Sequence, residues 1–128
     1  MTIMNASPLT RARNVLGGAC AALLFTAPMA FAHSHLVSAS PAPRATVASP
    51  TAISLRFSEP LEDRFSGFDV KDSSGHMITT KVHAEGDDNT VLVGKPTSPL
   101  APGIYNVAWH LVAKDGHRMK GAFPFTVR

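Results

Sequence analysis

Two short clusters in this sequence have the residue types and spacing for metal chemistry. Asp115-Gly116-His117 sets a carboxylate and an imidazole two residues apart, and His33-Ser34-His35 sets two imidazoles at the same spacing. In an extended chain residues i and i+2 project to the same side, so either cluster can present two donors to one point. Asp-Gly is also a common tight-turn pair, which leaves open the plainer reading of His117 as an exposed loop residue. The chain has six His and a single Cys. One Cys can form neither an intramolecular disulfide nor a Cys-rich zinc site, so a metal here would rest on His, carboxylate or Met.

The N-terminal segment determines what the first cluster can do. Arg11 and Arg13 precede a stretch from Val15 to Ala32 that is apolar apart from Thr26 and ends Ala30-Phe31-Ala32. A basic start, an apolar run and an A-x-A end are the marks of a secretory signal peptide over residues 1–32. The competing reading is a membrane anchor. Gly17, Gly18 and Pro28 weaken it, and the run is short of the ~20 apolar residues a spanning helix needs. Cys20 sits inside this run and would leave with it. Cleavage after Ala32 takes 32 residues from 128 and leaves 96, numbered 33–128, with all six His retained.

Processing also revises the charge. The whole chain has 12 Lys and Arg against nine Asp and Glu, a net of +3 and a pI near 9.4. Losing Arg11 and Arg13 leaves ten basic residues against nine acidic ones, a net of +1. No run of five or six basic residues occurs, and a nucleic-acid surface is not expected. His33 becomes the first residue, and its α-amine, with a pKa near ~8, can join its own imidazole as a pair of nitrogen donors. With Asp115 and His117 this makes a nitrogen-rich set with one oxygen. Such a set favours Cu(II), with zinc and nickel as competitors. Only Met77 and Met119 survive processing, too few for a thioether Cu(I) cluster.

The elements that must hold these donors read as β throughout. Ile53 to Phe57, Phe68 and Val70, Val91 and Val93, Tyr105 to Leu111, and Phe123 to Val127 all alternate apolar and polar residues. Turn clusters separate them, among them Asp72-Ser73-Ser74-Gly75, Gly86-Asp87-Asp88-Asn89 and Lys114-Asp115-Gly116. Six or seven short strands at this spacing predict an all-β, immunoglobulin-like Greek-key sandwich, with a small closed barrel as the other solution. Tyr105 follows a Pro-Gly turn and is placed to cap it as a tyrosine corner. Trp109 shares its face and reads as the core aromatic, while His110 falls on the opposite face.

Four blocks carry a family resemblance: His33-Ser34-His35-Leu36, Leu55-Arg56-Phe57-Ser58-Glu59, Leu100 through Trp109, and Asp115-Gly116-His117 followed by Gly121 to Val127. In that order they resemble the CopC family of periplasmic copper-binding proteins over essentially all of residues 33–128. The resemblance implies Cu(II) held by the amine and imidazole of His33 with Asp115 and His117. It implies Glu59 as an acid near the copper. It also implies a role in copper homeostasis or resistance without turnover, and delivery to an inner-membrane transporter of the CopD type. Members that also bind Cu(I) carry a Met/His-rich loop, whereas Ser73 through Asn89 has one Met and two His. A Cu(II)-only protein is therefore expected, with His76 and His83 as exposed loop residues and no firm second site at His76 and Met77.

His35 has two readings. In a floppy tail, His33-Ser34-His35 could bind Cu(II) or Ni(II) through the amine, deprotonated amides and the third-residue imidazole. If the tail pairs as a strand, its amides are committed and His35 supports the site by hydrogen bonding. Two other functions compete with the carrier, which is expected to be monomeric. One is an oxidative copper enzyme built on an N-terminal His, although the D-x-H carboxylate would crowd oxygen at the metal. The other is a β-sandwich interaction module with no metal role. Mass spectrometry of the exported protein is expected to show a chain beginning at His33 that gains the mass of one copper on adding Cu(II).

Overall fold

A computed structural model describes residues 34–128. The expected signal peptide, Cys20 and His33 lie outside the described residues. The elements run β1 (Leu36–Ser40), β2 (Thr46–Val47), β3 (Ile53–Phe57), a 3-10 turn at Asp63–Phe65, β4 (Gly67–Asp72), β5 (Met77–Ile78), β6 (Thr80–Glu85), β7 (Val91–Pro96), β8 (Gly103–Val112) and β9 (Arg118–Val127). They form a four-stranded sheet of order β1-β3-β7-β6 and a five-stranded sheet of order β2-β9-β8-β4-β5. The chain passes from one sheet to the other between β1 and β2, β2 and β3, β3 and β4, β5 and β6, and β7 and β8. The all-β sandwich expected from the alternation is the architecture observed.

Alternation selects the core. Ile53, Leu55 and Phe57 of β3 and Leu92 of β7 are buried against Phe68 and Val70 of β4, Tyr105, Val107 and Leu111 of β8, and Phe123, Phe125 and Val127 of β9. Each row of inward side chains belongs to one pleat face, so both sheets bury apolar surface while their outer faces stay polar. The Tyr105 hydroxyl donates to the Ala101 carbonyl at 2.7 Å, the tyrosine corner expected from the turn preceding it. Its ring stacks on Phe125 at 5.6 Å. Trp109 is only partly buried: its ring meets Phe57 edge-on at 5.1 Å and lies over Gly121, its partner across the β8–β9 ladder.

The stretch from Ser73 to Asn89 departs from the sequence expectation. It contains β5 and β6 rather than one long loop, and His83 lies on β6 with its side chain half exposed. Strand β6 is an edge whose inward residues, Thr80, Val82 and Ala84, are small or only partly buried, so its alternation carries little hydrophobic signal. Strand β1 is also an edge, and a register shift between Leu36 and Ser38 breaks its period. The described residues form nine strands, two of them only two residues long.

The sheets meet closely at Gly94, which is buried in β7. A β-carbon there would overlap the Phe68 ring from the opposite sheet and come within 2.8 Å of Thr80 Cγ2. Overpacking of this kind costs about 1–3 kcal/mol, and Gly94→Ala is expected to lose that much stability in urea unfolding. Tyr105→Phe, which removes one hydrogen bond without changing the ring, should lose about 1 kcal/mol in the same measurement.

Candidate metal centre

Strands β8 and β9 pair without interruption from Gly103↔Val127 to Val112↔Arg118. The five residues Ala113 to His117 close this hairpin. The Ala113 N–H donates to the His117 carbonyl at 2.9 Å, and the Gly116 N–H to the Ala113 carbonyl at 2.9 Å. Gly116 has φ +89°, a backbone region that favours glycine. The Asp115 carboxylate turns back so that Oδ1 accepts the His117 N–H at 3.0 Å, while Oδ2 lies 2.8 Å from His117 Nδ1. Asp115 and His117 are thus brought together by a turn rather than by the extended-chain projection expected from their spacing. The tight-turn reading holds, the carboxylate and imidazole lie against each other, and both side chains are about half exposed.

The hydrogen bond from the His117 N–H is the chief cause that holds the Asp115 carboxyl below the ordinary carboxylate range, with the His117 side chain adding to it. The group stays ionised through mildly acidic pH. With Nδ1 directed at the carboxylate, the imidazole offers Nε2 to a metal, an arrangement in which the acid orients the ring and raises its basicity.

A second set of contacts ties this hairpin to the start of the described chain. The His35 N–H donates to Ser58 Oγ at 3.0 Å, and the Ser58 N–H donates to the His35 carbonyl at 3.0 Å. From Ser58 the chain runs through Glu59 and Pro60 to Leu61, which bridges Ala113. The Lys114 N–H donates to the Pro60 carbonyl at 3.2 Å, the Glu62 N–H to the Val112 carbonyl at 2.8 Å, and Lys114 Nζ pairs with Glu62 Oε1 at 3.0 Å. The segment 58–62 therefore grips the N-terminal arm on one side and the hairpin on the other. Glu59 belongs to this segment and is partly buried, and no hydrogen bond joins it to Asp115 or His117. Ser58, Glu62 and Lys114 are the positioning residues that motif reading alone does not single out. Ser58 lies in the block that carried the resemblance, but its hydroxyl's partner is 23 residues away.

An Asp–His pair alone does not mark a site, because the fold contains others. Asp72 Oδ1 accepts the Ser74 and His76 N–H groups, each at 2.9 Å, and its Oδ2 lies 3.4 Å from His76 Nδ1. His83 Nε2 lies 2.8 Å from Glu85 Oε1. The Asp115–His117 pair differs in being stitched to the segment that holds the N-terminal arm. Among the described residues, no three His, Cys, Asp or Glu come close enough to hold a metal together. Of the predicted donors among the described residues, Asp115 and His117 are the two that are brought together. Among the described residues the sulfurs offer no alternative: Met77 on β5 and Met119 on β9 are separated by two intervening strands of one sheet.

Residues 36–128 match the CopC domain family. The chain belongs to the CopC family. It is 39% identical over 103 residues to Protein YobA of Escherichia coli K12, covering 79% of this chain and 83% of YobA. The crystal structure of PcoC, described as a methionine-rich copper resistance protein from Escherichia coli, matches with TM-score 0.68 and 37% identity. That match covers 76% of this chain and 100% of PcoC. The crystal structure of CopC from Methylosinus trichosporium OB3b matches with TM-score 0.69 and 34% identity, over 74% of this chain and 93% of that one. The CopC-family membership expected from the four sequence blocks is thereby established. Within this CopC domain the turn at the hairpin tip should respond to acid in one direction. Because the folded Asp115 carboxyl titrates below the ordinary range, the His117 N–H bond is complete above that range and is lost only as pH falls beneath it. NMR titration should give an Asp115 midpoint below that of an unstructured peptide and a concerted shift of the His117 amide. Asp115→Asn should abolish that transition.

Proposed function

We propose that this CopC-family protein is exported to the periplasm, where it binds one Cu(II) ion and carries or buffers copper in homeostasis or resistance. The single observation that carries this is the hairpin-tip pair: a carboxylate and an imidazole locked at 2.8 Å, stitched through residues 58–62 to the arm that begins at the expected signal cleavage point. His33 supplies its amine and imidazole, His117 its Nε2, and Asp115 an oxygen donor or the orienting bond to Nδ1. The names of its relatives support copper as the ion. Two Met on separated strands favour Cu(II) over Cu(I), in contrast to the methionine-rich PcoC.

His35 takes the supporting role. Its N–H is donated to Ser58 Oγ, so the amide is engaged in a hydrogen bond and is not available to lose its proton to a metal. Glu59 belongs to the same gripping segment, which supports a role as a near-site acid rather than as a required ligand. The site serves binding without turnover, and delivery to an inner-membrane transporter of the CopD type is the route this reading favours.

Calorimetry and electron paramagnetic resonance on the processed protein should show one Cu(II) with mixed nitrogen and oxygen donors. One extra residue in front of His33 should abolish tight binding by displacing the amine, and Asp115→Asn should weaken binding about 10- to 100-fold. Ser58→Ala frees the His35 amide and should move the Cu(II) absorption to shorter wavelength as that amide joins the metal. Tight binding that survives the extra residue would overturn the N-terminal site. Steady hydrogen peroxide production by the copper-loaded protein with a reductant would favour an oxidative enzyme instead.

A further inference from the structure

The 3-10 turn Asp63–Phe65 holds an aromatic side chain in water: Phe65 is 62% exposed. Its backbone is well anchored. The Phe65 N–H donates to the Glu62 carbonyl at 3.1 Å, and Ser66 Oγ accepts the Val112 N–H at 3.0 Å. Phe65 walls a groove of ≈ 300 Å³ whose other sides include His110, Val112, Arg118 and Lys120. The β8–β9 register sets Val112 opposite Arg118 and His110 opposite Lys120, so two cations and an imidazole share one outer face.

Neither Arg118 nor Lys120 forms an ion pair with a described residue. Among the described residues the ion pairs join His76 to Asp72, His83 to Glu85, Lys114 to Glu62 and His117 to Asp115. The nearby acids are otherwise engaged or too far: Asp63 Oδ1 accepts the Ala84 N–H, and Asp69, which borders the adjoining hollow with His110 and Lys120, is not within ion-pair distance of Lys120. A fixed aromatic beside unpaired cations is the complement of a ligand that is apolar at one point and anionic around it.

We propose that this groove docks an acidic segment of a partner protein, which inserts one apolar side chain beside Phe65 and pairs its carboxylates with Arg118 and Lys120. A peptide fits better than a membrane surface, because a single exposed aromatic over a side-chain-sized groove lacks the broad apolar face that adsorbs to lipid. Val112↔Arg118 is the last strand pair before the Ala113–His117 loop, so the bound segment lies next to Asp115 and His117. Docking at this groove stands without the copper reading.

The test is an NMR titration of the processed protein with a Glu-rich octapeptide bearing one central Leu. Amides of residues 64–66, 110–112 and 118–120 should shift, and the shifts should vanish in about 0.5 M salt. R118E/K120E should raise Kd about tenfold or more, and Phe65→Ser should do likewise. Both variants should keep the wild-type fluorescence of Trp109 and take up one Cu(II), which separates failure of docking from failure of the copper site. No shift at these amides, equal shifts with a Lys-rich octapeptide, or shifts with phosphatidylglycerol vesicles but not the acidic peptide would each overturn the proposal.

Discussion

The unbroken ladder between β8 and β9 is the constraint on which the candidate centre depends. Both strands bury alternate residues in the core, so a slip of one position would turn outward either Tyr105 and Val107 or Phe123 and Phe125. That penalty fixes where the ladder ends and therefore where the loop Ala113–His117 begins. Within the loop, Gly116 permits the reversal and the Asp115 carboxylate stabilises it, so the group that shapes the turn is also the one that engages the imidazole. Structure and donor geometry rest on the same hydrogen bonds.

Three carboxylate–imidazole pairs occur among the described residues, and their local geometries overlap. Asp72 with His76 even repeats the lowered carboxyl, again chiefly through a backbone N–H from the histidine. What separates Asp115–His117 is its surroundings: the Leu61–Ala113 bridge, the Lys114–Glu62 ion pair and the double hydrogen bond between His35 and Ser58 gather the arm, the 58–62 segment and the hairpin at one end of the sandwich. The ion pair is partly exposed and adds little stability, so its effect is on the position of Lys114 rather than on the fold as a whole.

Legibility in the sequence followed burial. Strands whose inward residues are large, such as β3, β8 and β9, announce themselves by alternation, and the corner made by Tyr105 could be read from the turn before it. Edge strands could not: β6 offers only small inward residues, and the register shift in β1 breaks its period. The weak alternation therefore reads His83 as an exposed loop residue, whereas it lies on β6, half exposed. The candidate donors were legible as residue types, whereas the reason Asp115 meets His117 was a turn and not strand projection.

The residues two apart along the chain meet for reasons written locally: Asp-Gly-His encodes its own turn, and the apolar alternation encodes which face each strand buries. Contacts across 23 residues, from His35 to Ser58, or 46, from Ser66 to Val112, have no such local code. They form because burying both inner faces brings β1, β3 and the β8–β9 hairpin to fixed positions, and only then do the polar groups at that end find one another. Donor identity is thus a property of the chain, and the gathering of the arm, the gripping segment and the hairpin tip at one place is a consequence of packing two sheets together.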